Sequence, residues 1–211
     1  MRRYIREAAV SYQQAASQGL ALFNKDGRFV LYDPNGMLRA LQTRNPEEQS
    51  YSEMDAALAN NIYGYIELAD VPRGEAWGAS MVRQSAAKKG YGPFMYDIAL
   101  TLAGSIVSDR EKVSPAAEKV WQGYQKRSDV KKYPLDDITD PQTPTEVDDG
   151  DVFQGRDALN YAYSGANVNA QSLKSNHEKF LSSASSIFDG DKSYVDDALE
   201  AAADAFFRRM Y

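Results

Sequence analysis

Apolar residues fall three and four apart at Tyr4, Ile5, Ala8, Ala9, Tyr12 and Ala16, a spacing that predicts an amphipathic helix over 4–17. The run LALFNKDGRFVLYD then changes to a strand-like pattern on both sides of Lys25-Asp26-Gly27, which predicts a hairpin. Asp33-Pro34-Asn35-Gly36 reads as a further turn, 43–52 as a polar loop, and 52–60 as a short helix. Two strand-like runs follow at about 61–69 and 75–86, joined by a Pro-Arg-Gly turn. Phe94, Ile98 and Leu102 then share one stripe and predict a helix over 92–104, and SIVSD reads as a short buried strand. Ser114-Pro115 opens the next helix, since serine suits the cap and proline the first helical position. That helix reaches about Arg127, with Val113, Ala117, Val120 and Tyr124 in register. ALNYAYSG reads as one more strand. Two amphipathic helices close the chain, one with a stripe through Leu173, His177, Phe180, Leu181, Ala184 and Ile187 and the other through Val195, Ala198, Leu199, Ala202 and Phe206.

The order β–β–α–β–α at the centre predicts an α/β fold, with helices around one mixed sheet. The expected organisation is a domain over 1–165 and a helical C-terminal extension over 166–211. Composition changes this picture in two places. Between Leu135 and Asp151 the chain carries seven acids, no base and two prolines, the make-up of an exposed loop or linker. There is no cysteine and a single histidine, which excludes disulfides, thiolate metal sites, a cysteine nucleophile and multi-histidine metal sites. No metal site is expected. The net charge of −6 argues against a broad nucleic-acid surface. No apolar run approaches the roughly 20 residues needed to cross a bilayer, and Arg6, Glu7 and Gln13-Gln14 interrupt the N-terminal stretch where a signal peptide would be continuous. A cytoplasmic protein is the expectation.

The segment most suggestive of chemistry is Lys88-Lys89-Gly90-Tyr91-Gly92, between a predicted strand and a predicted helix. Backbone N–H groups at a helix start attract anions, and glycine allows close approach. Lysine adds attraction to a phosphate. The P-loop pattern is absent. The dinucleotide fingerprint fails as well, because Met95 stands where its third glycine belongs.

The segment resembles motif A of the GNAT superfamily of acyl-CoA-dependent N-acyltransferases. Ala87-Lys88-Lys89-Gly90-Tyr91-Gly92 takes the place of that superfamily's [QR]-x-x-G-x-[GA] loop, with both glycines matching and Ala87 in place of the usual Gln or Arg. SPAAEKVWQGYQ is similar to its later helix, with Trp121 where a tyrosine is usual and Tyr124 one turn further on. The likeness covers about 20–165 in element order and about 75–125 in motif detail, and SDREKVSPAAEKVWQGY also resembles GNAT-like proteins of tailed-phage genomes. It implies that acetyl-CoA, as acyl donor, is held at Lys88, Lys89, Gly90, Tyr91 and Gly92. It further implies that the thioester carbonyl meets the strand at Met81, Val82 and Arg83. Glu67 or Glu75 is then the candidate base and Tyr124 the candidate acid. The acceptor would be an amine of a protein, a small molecule or a modified base. Ser108 and Asp109 are candidate site-lining groups, or caps of the following turn. A non-catalytic GNAT-like protein, structural, virion-borne or regulatory, is the alternative. Its C-terminal helices would bind partner chains or a second copy.

Overall fold

A computed structural model describes residues 10–43, 50–69, 78–109, 112–135, 155–166, 168–188 and 190–211. Among them are seven strands and seven α-helices. The strands form one mixed sheet in the order β1-β2-β3-β4-β5-β7-β6, so the fold is α/β. They are β1 (Ala21–Lys25), β2 (Arg28–Tyr32), β3 (Ile62–Ala69), β4 (Ser80–Ala87), β5 (Ser105–Ser108), β6 (Lys131–Pro134) and β7 (Tyr161–Ser164). The helices are α1 (Tyr12–Ser17), α2 (Pro34–Gln42), α3 (Tyr51–Ala59), α4 (Gly92–Ala103), α5 (Pro115–Lys126), α6 (Gln171–Ala184) and α7 (Ser193–Met210). β4 and β5 run parallel, as the intervening helix requires, and β1/β2, β5/β7 and β6/β7 are antiparallel. Contacts divide the chain into two compact units. One holds residues 1–65, 86–95 and 169–211, and the other holds 66–85 and 96–168.

The first unit is built on the β1/β2 hairpin. Asp26 (φ 49°) and Gly27 (φ 77°) both take positive φ, the two-residue turn that matches strand twist. Asp33-Pro34 proves to be a helix start rather than a turn. The Asp33 side chain accepts from Asn35 N–H at 2.9 Å and Pro34 takes the first helical position. The same residue types serve both structures, and here the helix gains a buried face at Met37 and Leu41. The expected C-terminal helices are present and share a core with the hairpin. Phe180, Leu181, Val195, Leu199 and Phe206 are buried with Phe23, Val30, Tyr32, Leu58 and Tyr65.

His177 belongs to this core. Its Nδ1 shares a 2.7 Å hydrogen bond with Tyr32 Oη, and its ring meets Phe23 edge-on. Burial holds the imidazole below its ordinary range, against the smaller opposing pull of Asp196 and Glu178. The unfolded chain therefore binds more protons at this residue, and stability falls as pH drops through the unfolded value of about 6.5. Burial raises the Asp196 carboxyl, so this residue acts in the opposite sense and at lower pH. Urea midpoints should fall between about pH 7 and pH 5.5 in the wild type, and His177→Gln should flatten that slope.

The second unit packs around aromatic rings. Trp121, Tyr124 and Tyr163 are each at most 1% exposed, with Tyr96 edge-on to Trp121 at 5.1 Å. β6 is an exposed edge strand that pairs with β7 through Pro134↔Tyr161, and proline at an edge removes a donor that would recruit another strand. A second, smaller apolar group joins Val107, Leu135 and Ala162 to Ala79 and Met81.

Candidate functional site

β4 reaches α4 through a turn closed by Tyr91 N–H donating to the Lys88 carbonyl at 3.0 Å. Gly90 sits at φ +88°, a conformation that L side chains rarely adopt. Lys88 N–H continues the sheet by donating to Tyr63 O at 2.9 Å, and Met95 N–H makes the first helical bond, to Tyr91 O. The amides of Gly90, Gly92 and Phe94 find no acceptor among the described residues. These are the orphan donors expected at a helix start, where the dipole favours negative charge. Nothing described lies within 4 Å of where a Cβ on Gly92 would stand. A side chain on Gly92 would therefore enter space that no described residue fills.

The two lysines differ. Lys88 Nζ donates to Asn60 O at 2.8 Å and lies 4.1 Å from the centre of the Tyr63 ring. Burial moves its ammonium below the ordinary lysine range. It braces the turn against its own chain and does not project outward. Lys89 is exposed. The Tyr91 ring is buried, packs edge-on against Tyr63 at 5.0 Å, and its hydroxyl donates to Gln18 Oε1 at 2.5 Å. The turn is held by Tyr63, Asn60 and Gln18.

The second unit holds the remaining candidates. Glu67 and Arg83 come together as a long ion pair, 3.7 Å, with Arg83 mostly exposed and Glu67 mostly covered. Val82 is buried and Met81 half-buried in the Val107 group. β4 pairs with β5 only from Ser80↔Ile106 to Val82↔Ser108, so Arg83 and the residues after it extend beyond the parallel pairing. Glu75 lies outside the described residues. Asp109 Oδ1 accepts Lys112 N–H at 3.1 Å, while Ser108 is buried with its hydroxyl towards Leu159 O.

Tyr124, the candidate acid, is placed differently from a proton donor facing substrate. It is 1% exposed, and its hydroxyl donates to Asp97 Oδ1 at 2.7 Å. Arg127 Nη1 meets the same oxygen at 2.6 Å, and Arg127 also pairs with Asp129. Burial, followed by the Asp97 charge, drives the Tyr124 phenol far above its ordinary range. Its proton is held in the hydrogen bond to Asp97. Trp121, at the position where the resemblance has its tyrosine, is equally buried.

Sequence reasoning missed Gln18 and Val10, which touch the turn from far away in the chain; no spacing rule links them to it. Among the described residues there is no group of three or more His, Asp or Glu arranged to hold a metal. No described helix is long and apolar enough to cross a membrane. No protein-family model, curated protein or solved structure matches the chain.

Proposed function

We propose that this chain binds acyl-CoA through the turn at residues 89–92 and transfers the acyl group, acetyl in the simplest case, to an amine. The observation that carries this reading is a pair of glycine amides, at and just before the start of a twelve-residue helix, that find no acceptor among the described residues, with no described atom where a side chain on Gly92 would begin. A diphosphate placed there would accept both N–H groups and gain from the helix dipole. The amine nitrogen would attack the thioester carbonyl, the C–S bond would break, and the coenzyme would leave as its thiolate. A thiolate of ordinary pKa is a competent leaving group, so a buried Tyr124 does not forbid the reaction. Glu67, which pairs with Arg83, is the candidate base that would take the amine's proton. A cytoplasmic setting, where acyl-CoA is available, suits this chemistry, and the acceptor is an amine of a protein, a small molecule or a modified base.

Calorimetry with acetyl-CoA tests it, using wild type beside Gly92→Asp. Aspartate at a helix start suits the helix and its Cβ would find space, so the variant should stay folded. Its carboxylate would face the diphosphate, and affinity should fall about a hundredfold or more, since like charges in contact cost several kcal/mol. Wild type that binds nothing at millimolar coenzyme overturns the reading.

One observation favours a second reading. With Tyr124 sealed against Asp97, a GNAT-like protein that binds coenzyme or partner chains without catalysis is its natural form. Coenzyme binding without turnover over a panel of amines would select it.

A further inference from the structure

The chain is bonded to the glycine turn just before and just after α1. Val10 N–H donates to Gly90 O at 3.0 Å, and Val10 Cγ2 stands 3.5 Å from the position of a Cβ on Gly90. At the far end of α1, Gln18 Oε1 accepts the Tyr91 hydroxyl at 2.5 Å. α1 has six residues, well below the roughly 12 at which a helix holds by itself in water. Its order depends on its anchors. These are the capping box of Ser11 and Gln14, the bond between Tyr12 and Ser172, the buried Ala15, and the two bonds to the turn.

The dependence runs both ways. The Gly90–Tyr91 peptide is a rigid plane, but its orientation is not fixed by a glycine that is free in φ and ψ. Val10 holds the carbonyl side of that plane and Lys88 O holds its N–H side. With both sides held, the direction of the following Gly92 amide is set. If the Val10 bond were removed, the Gly90–Tyr91 plane would keep only its bond to Lys88 O and could turn, and the chain entering α4 would be held less firmly.

We infer that α1 is a strap on the glycine turn, and that strap docking and turn geometry form one cooperative unit. The ligand coupled to that unit would be the diphosphate-bearing coenzyme of the proposed function, on which this last step rests. By linkage, a ligand that favours the held turn must tighten α1 to the same extent.

The test is residue-resolved amide exchange on the full chain, in wild type, Val10→Pro and Tyr91→Phe. The first variant removes the donor to Gly90, and the second removes the hydroxyl while keeping the ring on Tyr63. Exchange at Ala15 and Gln18 reports α1, exchange at Tyr91 and Met95 reports the turn, and the strand pair Phe23↔Val30 is the control. Each variant should speed α1 and the turn together, by a common factor on the order of fivefold to tenfold, with the control unchanged. A variant that frees α1 while the turn keeps its wild-type rate overturns the strap. The same experiment with CoA or inorganic pyrophosphate separates the two ideas. Slowing of α1 and turn together supports both, and slowing confined to the turn overturns the strap alone. Coupled exchange that neither compound alters leaves the strap standing and removes the coenzyme.

Discussion

Trp121→Ala should lower stability by about 3–5 kcal/mol, the range for truncating a large buried aromatic. For a chain of this size that is a fall in melting temperature on the order of 10 °C. Trp121 is 1% exposed and meets three other rings. Tyr96 stands edge-on at 5.1 Å, Tyr124 edge-on at 5.9 Å, and Tyr163 is stacked at 5.5 Å. These rings come from α4, α5 and β7, so the indole ties three elements of the second unit together. All three have committed hydroxyls, Tyr124 to Asp97, Tyr163 to Ala158 O and Tyr96 to Ser85 Oγ, so they cannot shift to fill the space without breaking hydrogen bonds. The cavity would remain open, which places the cost towards the upper end. Trp121→Phe should cost much less, about 1–2 kcal/mol, because a ring still spans the stack. Calorimetric melting of both variants checks the order. The loss should appear first in amides of the second unit, such as those of β7. An alanine variant that melts within about 2 °C of wild type would show the indole to be dispensable.

How much of this was legible beforehand depends on the range of the interaction. The hairpin was readable because its turn residues, Asp26 and Gly27, carry their conformation in their own chemistry. Ser114-Pro115 was readable for the same reason, and Ser114 Oγ does accept Ala117 N–H at 3.2 Å. Asp33-Pro34 was ambiguous, because a proline after an aspartate suits a turn and a helix start equally. β6 gave no signal at all: Lys-Lys-Tyr-Pro is four exposed residues without alternation, and only its pairing with β7 makes it a strand. Helix periodicity marks the inward face of α6 and α7 but does not name the partner, so their shared core with the N-terminal hairpin was not visible. The site divides in the same way. A glycine turn before a helix is a local pattern and could be seen. The depth of Tyr124 could not, because its acceptor is 27 residues away, and Gln18 meets Tyr91 across 73 residues.

Asp97 and Tyr124 decide whether that depth matters for activity. Asp97→Ala would leave the buried Tyr124 hydroxyl without an acceptor, at about 1–3 kcal/mol. Arg127 would lose one partner but keep Asp129 and its access to water, and exposed pairs contribute little, about 0–1 kcal/mol. The expected loss is therefore about 2–3 kcal/mol. Tyr124→Phe removes the donor and leaves Asp97 paired with Arg127, so it should cost only about 1 kcal/mol. The double variant should fall short of the sum by about 1–2 kcal/mol, since both changes break the same bond. Urea midpoints give all three numbers. The informative comparison is with turnover: a phenol that protonates a leaving group is worth about a hundredfold or more in rate, whereas a phenol that only satisfies Asp97 is worth almost nothing there. Once an amine acceptor has been found, Tyr124→Phe should leave kcat within about twofold of wild type while lowering the urea midpoint. A hundredfold loss of kcat at unchanged stability would mean that the hydroxyl leaves Asp97 during turnover, and would restore Tyr124 as the acid.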